Sequence, residues 1–141
     1  MAGYSGTPLP KKLGIADGCR LALLDAPNGF DATLGPLPAD VSVRRSARGR
    51  ADVVVSFHTS RRHLERRLPT LQRLVDVDGG IWIAWPKRAS GVPTDITEDV
   101  VREVVLPTGM VDVKVCAIDE TWSGLRVVWR KELRAGLRPT R

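Results

Sequence analysis

Apolar positions along this chain fall into two rhythms. Short runs of four to six apolar residues mark buried strands, and spacings of three and four mark helix faces. Arg20–Asp25 (RLALLD) and Asp52–Phe57 read as buried strands, and Ile81–Trp85 as a third. Val41–Arg45 alternates apolar and polar and reads as an edge strand. After Ser60, which suits a helix cap, Leu64, Leu68, Leu71 and Val75 recur at helical spacing. Pro69 sits inside that pattern and predicts a kink or a split. Asp78-Gly79-Gly80 predicts a stop and a turn.

Shorter signals complete the order. Asn28 is placed to cap a short helix over Phe30–Leu34, with Asp31 near its positive end and Gly35-Pro36 as its break. Asp95-Ile96-Thr97-Glu98 has the form of a capping box with Asp95 as the cap. It opens a helix through Val100, Val101, Val104 and Val105 that ends at Pro107 and Gly109. Lys114–Ile118 and Leu125–Trp129 read as strands whose short connection makes them antiparallel. The predicted order is β-α-β-β-α-β-α-β-β. That order specifies an α/β domain, a three-layer Rossmann-like sheet of about six strands, mostly parallel, closed by an antiparallel hairpin. The expected organisation is an irregular arm over 1–18, one domain over 19–130 and a basic tail over 131–141. Tyr4, Leu9, Leu13 and Ile15 are apolar enough for the arm to pack, and we expect it to close over the sheet with Tyr4 or Lys11 near His58.

Composition adds mostly exclusions. The chain has 141 residues, 43% hydrophobic and 27% charged, as an ordinary globular domain does. No apolar run is long enough to span a membrane, and the first residues lack a signal peptide's apolar core, so a cytoplasmic protein without a membrane partner is expected. Cys19 and Cys116 are isolated and read as buried free thiols. Two histidines and two separated cysteines make no metal cluster. The net charge of +6 is concentrated in Arg44–Arg67 and in the tail. A nucleic-acid partner is not favoured, because aromatic interleaving and recognisable binding motifs are absent.

In an open parallel sheet a ligand binds beyond the carboxyl ends of the strands, where strand order reverses. That rule selects Asp25, Asn28 and Gly29 from one loop, Thr59 and Ser60 beside His58 from the next, and Trp85, Lys87, Ser90 and Thr94 from the third. His58 is the candidate general acid or base, since imidazole titrates near neutrality. Lys87 and Arg88 form a candidate site for an anionic ligand. Trp122 is read either as a lid on the core or as an exposed partner contact, and Trp82 and Trp129 as strand residues of the core. A homodimer or protein partner would use an edge, at Val41–Arg45 or at the closing hairpin.

The segment DVDGGIWIAWPK after an amphipathic helix, followed by a closing hairpin, resembles a shortened class I S-adenosylmethionine-dependent methyltransferase over roughly residues 18–130. The whole chain also resembles a family of short, functionally uncharacterised bacterial proteins, through YSGTPLPKKLGI, AWPKRASGVPTDIT and KVCAIDETWSGLR. The first resemblance implies a methyltransferase-like sheet. It also implies a Gly-rich turn after the first strand and an acid after the second. This chain has Asp25-Ala26-Pro27-Asn28-Gly29 and Arg44-Arg45 there. We therefore expect no cofactor, S-adenosylmethionine included, and a non-catalytic or regulatory module that binds a small ligand or a protein partner. An enzyme using the same crevice and a nucleic-acid-associated basic protein are the alternatives.

Overall fold

The computed structural model describes residues 6–138. Its elements are α1 (Leu9–Lys12), β1 (Arg20–Leu24), α2 (Phe30–Leu34), β2 (Ser42–Arg44), β3 (Ala51–Phe57), α3 (Arg61–Leu74), β4 (Val75–Pro86), α4 (Glu98–Val105), β5 (Met110–Ala117), β6 (Trp122–Trp129) and α5 (Arg134–Leu137). The six strands form one sheet in the order β2-β1-β3-β4-β6-β5. The pairs β1–β2, β1–β3 and β3–β4 are parallel, whereas β4–β6 and β5–β6 are antiparallel. The α/β order, the mostly parallel sheet and the antiparallel hairpin agree with the sequence reading. Strand order reverses between β1 and β3, which places the switch point where the loops after those strands meet.

Two apolar layers cover the sheet. Leu64, Leu68 and Leu71 of α3 and Val101 and Val105 of α4 pack with Ala22, Val54, Ile81 and Leu125 on one face. Leu13, Ile15, Phe30 and Leu34 pack with Leu21, Val55 and Trp82 on the other. Strand side chains alternate between faces, so β3 and β4, covered on both sides, read as near-continuous apolar runs. The arm joins the second layer. Leu13 is fully buried, and its carbonyl accepts a hydrogen bond from Trp82 Nε1 at 2.9 Å. Lys11 is therefore not beside His58; it lines a cavity with Thr7, Lys114 and Cys116 at the β5 edge. Tyr4 lies outside the described residues. Trp122 packs edge-on against Phe57 at 5.0 Å, as a lid on this layer. Cys19 and Cys116 are free thiols, buried and half-buried, and burial pushes both above the ordinary thiol range.

Three local expectations are corrected and one is narrowed. Asp78-Gly79-Gly80 does not end an element but lies inside β4, where the register to β3 slips between Ala51↔Val75 and Val53↔Gly80. Glycine is needed there because a Cβ on Gly79 would stand 2.4 Å from the Asp52 carbonyl oxygen. Pro69 does not split α3, which runs unbroken through it. Asn28 does not cap α2; Gly29 does, at φ +83° with no side-chain bond. The cap of α4 is Thr97, whose side chain accepts from Val100 N. Asp95 instead accepts from the backbone N of Arg61 at 2.7 Å and so serves the first turn of α3.

At the amino ends of the strands Arg20 grips Asp52 with two guanidinium bonds, 2.8 and 3.1 Å, and this contact holds the Asp52 carboxyl below its ordinary range. Arg138 closes the same end on Asp78 at 2.8 Å, so the described part of the basic tail is tied to β4. No helix among the described residues is long and apolar enough to cross a membrane.

Candidate functional site

The carboxyl end of the sheet carries two groups of polar side chains. The first is built on β1, β3 and α3. Ser56 and His58 are two residues apart on β3 and its end, so both point to the same face. Both are buried, at 0% and 1% exposure. Ser56 Oγ lies 2.7 Å from His58 Nε2, and His58 Nδ1 lies 2.8 Å from His63 Nδ1. The Ser60 hydroxyl accepts from His63 N, which fixes the first turn of α3 and so the base of the His63 side chain. His63 Nε2 faces Asp25 Oδ2 at 3.8 Å, and Arg67, one helical turn on, approaches the same oxygen at 4.0 Å.

These contacts assign the protons. With its proton on Nε2, the nitrogen that faces Asp25, neutral His63 keeps Nδ1 as an acceptor. His58 Nδ1 then donates to it, and His58 Nε2 accepts from the Ser56 hydroxyl. Burial above all, then the neighbouring His63 and Arg67, push the His58 pKa down to about 3. His58 is thus neutral at physiological pH, with both ring nitrogens taken by protein partners.

Asp25 itself has φ +58°, a left-handed conformation rare for residues other than glycine. Four residues on, Gly29 is also left-handed, and a Cβ there would meet nothing within 4 Å. The turn after β1 therefore reaches the conformations of a Gly-rich turn with one glycine and one aspartate, and opens onto free space. Arg67 Nε is buried without an acceptor among the described residues, close to this turn. Asn28 is exposed beside it.

The second group surrounds a cavity of about 530 Å³ whose lining includes Trp85, Lys87, Arg88, Thr94, Thr97 and Glu98. The β1 turn does not line it, so the residues selected from sequence divide between two neighbouring places. They are joined through Thr94 Oγ1, which donates to the Thr59 carbonyl at 2.7 Å. Ser90 belongs to neither chemistry: its hydroxyl donates to the Lys87 carbonyl and pins the loop. Sequence reasoning missed His63, Arg67 and Glu98. The spacing His63–Arg67, four residues on one helix, was a legible sign of a shared face, but nothing in the sequence aims that face at Asp25.

At the end of β2, Arg44 bonds to the Arg48 carbonyl and Arg45 to Asp31, so the cations that stand where an acid was expected are occupied within the chain. Among the described residues no group of three or more His, Cys, Asp or Glu side chains is arranged to hold a metal.

No family model matches the chain, and no curated protein matches it. Solved structures do match its fold. A SAM-dependent methyltransferase from Aquifex aeolicus superposes with a TM-score of 0.59 at 14% identity, covering 83% of this chain and 85% of its own. The DhpI–SAH complex gives 0.58 at 11% identity, covering 85% and 81%. Aeropyrum pernix fibrillarin, solved with natively bound S-adenosyl-L-methionine, gives 0.55 at 12% identity, covering 89% and 70%. The expectation that S-adenosylmethionine is unlikely is corrected by these neighbours, two of which carry SAM or SAH in this fold. That expectation rested on the missing Gly-rich turn after β1 and on Arg44-Arg45 in place of an acid after β2; on the first ground, Asp25 and Gly29 both take positive φ without a Gly-rich sequence. The chain has a mixed α/β, methyltransferase-like fold.

Proposed function

We propose that this module binds S-adenosylmethionine or a closely related nucleoside at the carboxyl ends of β1 and β3, and acts as a ligand-responsive rather than a catalytic unit. The observation that carries the reading is the β1 turn: Asp25 and Gly29 at positive φ, with open space above Gly29. A turn of that shape admits close approach of a ligand to backbone. Asp25 and Gly29 would hold the ligand's near end, and Arg67, beside Asp25, would supply positive charge for an anionic group on it. When bound, the cofactor supplies an activated methyl group. The chain's own residues supply shape and charge, because Ser56 and His58 are buried and already bonded to each other and His63. The ribose end lacks an acid, so affinity is expected to be modest. Two free cysteines suit a reducing, cytoplasmic setting for such a module.

The test is calorimetric titration and thermal unfolding with S-adenosylmethionine and S-adenosylhomocysteine. At about 100 times Kd a ligand stabilises the native state by about 2.7 kcal/mol. Asp25→Ala should reduce binding without unfolding the domain. Absence of heat and of stabilisation at millimolar ligand would refute the reading.

A further inference from the structure

The cavity beyond β4 is separate from the β1 turn, which does not line it. Trp85 and Ile96, 7% and 2% exposed, give it an apolar floor, while Val92 and Pro93 line it from the exposed loop. Lys87 and Arg88 line it too, and neither has an ion pair among the described residues. The one acid in the lining, Glu98, is taken by Arg102 at 2.5 Å. Arg102 also holds Asp99 and Asp112, at 3.3 and 3.0 Å. The lining therefore combines apolar surface with two uncompensated cations.

The loop that presents them is braced. Lys87 N donates to the Thr121 carbonyl at 2.7 Å. Ser90 Oγ donates to the Lys87 carbonyl at 2.6 Å and accepts from Val92 N at 3.2 Å. Thr94 Oγ1 donates to Thr59 O and accepts from Ile96 N at 3.0 Å. Gly91, at φ +76°, makes the turn between them. Bracing of this kind lowers the ordering cost of binding, and it holds Val92 at 38% exposure rather than letting it collapse onto the core. A volume near 530 Å³ falls in the range of small-molecule sites.

We propose that this cavity binds a planar aromatic acid, with its ring on Trp85, Val92, Pro93 and Ile96 and its anionic group between Lys87 and Arg88. The anion is a carboxylate or a phosphate monoester, and both share the chemistry that two cations recognise.

The probes are 2-naphthoate, 2-naphthyl phosphate and the neutral 2-naphthamide. Each is titrated into the full chain while backbone amide shifts and binding heat are followed. Expected are shifts centred on residues 85–98 and binding of at least one acid about tenfold or more tighter than the amide, which corresponds to about 1.4 kcal/mol. The tighter of the two acids identifies the anion. The double variant Lys87→Ala/Arg88→Ala should lose that tenfold and keep the amide's weaker affinity. Arg88 is exposed and Lys87 half-buried, and neither belongs to the core, so the melting temperature should hold; if it falls, Lys87→Gln alone replaces the double variant. The proposal is overturned if neither acid perturbs residues 85–98 at millimolar concentration. It is also overturned if the amide binds as well as the acids, or if a folded variant without the cations binds the acid undiminished. None of these outcomes depends on whether S-adenosylmethionine binds at the β1 turn.

Discussion

His58 gives the structure a pH signature that can be worked through quantitatively. In the unfolded chain it titrates near 6.5, but in the fold its pKa is pushed down to about 3 by burial and by the neighbouring His63 and Arg67. Between these values the unfolded state holds a proton that the native state does not, so stability rises with pH across the window and falls on acidification. The stability is full above about pH 6.5 and declines as pH drops towards the folded value. The slope approaches about 1.4 kcal/mol per pH unit, so moving from pH 7.5 to pH 5 removes roughly 2 kcal/mol. That figure barely depends on the folded pKa as long as it stays about a unit or more below 5. The groups that face His58 and its neighbour His63 are Ser56, Asp25 and Arg67. The comparison is therefore wild type against His58→Gln, which keeps His63 and offers Ser56 a hydrogen-bonding amide. Urea unfolding at half-unit steps between pH 5 and pH 7.5 gives both profiles. The wild type should lose about 2 kcal/mol more than the variant over the range. Parallel profiles, within about 0.5 kcal/mol, would mean that His58 is protonated in the native state and that the proton assignment along Ser56, His58 and His63 is wrong.

Other expectations follow from packing and backbone geometry. Leu71→Ala empties a fully buried position under α3 and should cost about 2–5 kcal/mol in chemical denaturation. Gly79→Ala drives a Cβ to within 2.4 Å of the Asp52 carbonyl and should destabilise the domain by about 1–3 kcal/mol. Gly29→Ala meets no neighbour and should cost only about 1 kcal/mol for its positive φ, so the order of the two midpoints tests the bulge in β4. Asp95→Ala removes the acceptor for Arg61 N and should cost about 1 kcal/mol, read as a lower melting temperature with α4 helicity intact. In a thiol-reactivity assay at pH 7, half-buried Cys116 should react ahead of buried Cys19, and both slower than in denaturant.

The architecture was legible because burial on two faces writes itself into the sequence. A parallel strand covered by helices on both sides has no polar register to keep, so VVVSF and IWIAW stand out as runs. Their order with the intervening helix leaves few topologies open. Local details that depend on what a side chain meets after folding were not legible. Asp95 looks like a cap for its own helix, and Thr97 won that place because Asp95 is drawn to Arg61 N on a neighbouring element. Asp78-Gly79-Gly80 looks like a turn, because a glycine pair that makes room for a crossing carbonyl has the same letters as one that reverses the chain. The candidate site divides in the same way. His58 and the loop after β4 were reachable from strand ends alone. The aim of His63 and Arg67 at Asp25 depends on the phase of α3, which Ser60 and Asp95 set through its first backbone donors.

That phase links the two sites. Asp95 accepts from the first residue of α3, and Thr94, beside it, holds the Thr59 carbonyl just before that helix. The loop that carries Lys87 and Arg88 is therefore fastened to the turn that orients His63. A ligand that shifted this loop would pull on the start of α3, and with it on the His63 and Arg67 contacts to Asp25. Such a chain transmits a change only if the helix start has two arrangements of comparable energy. The two hydrogen bonds into the start of α3 are then the place to look: cutting them with Thr94→Val and Asp95→Ala should uncouple the sites while leaving each able to bind its own ligand. If naphthoate alters S-adenosylmethionine affinity in the wild type, the same factor must appear in reverse. The double variant should bring that factor to one. A coupling factor that survives loss of both bonds would place the connection elsewhere, in the β3–β4 ladder that the two sites also share.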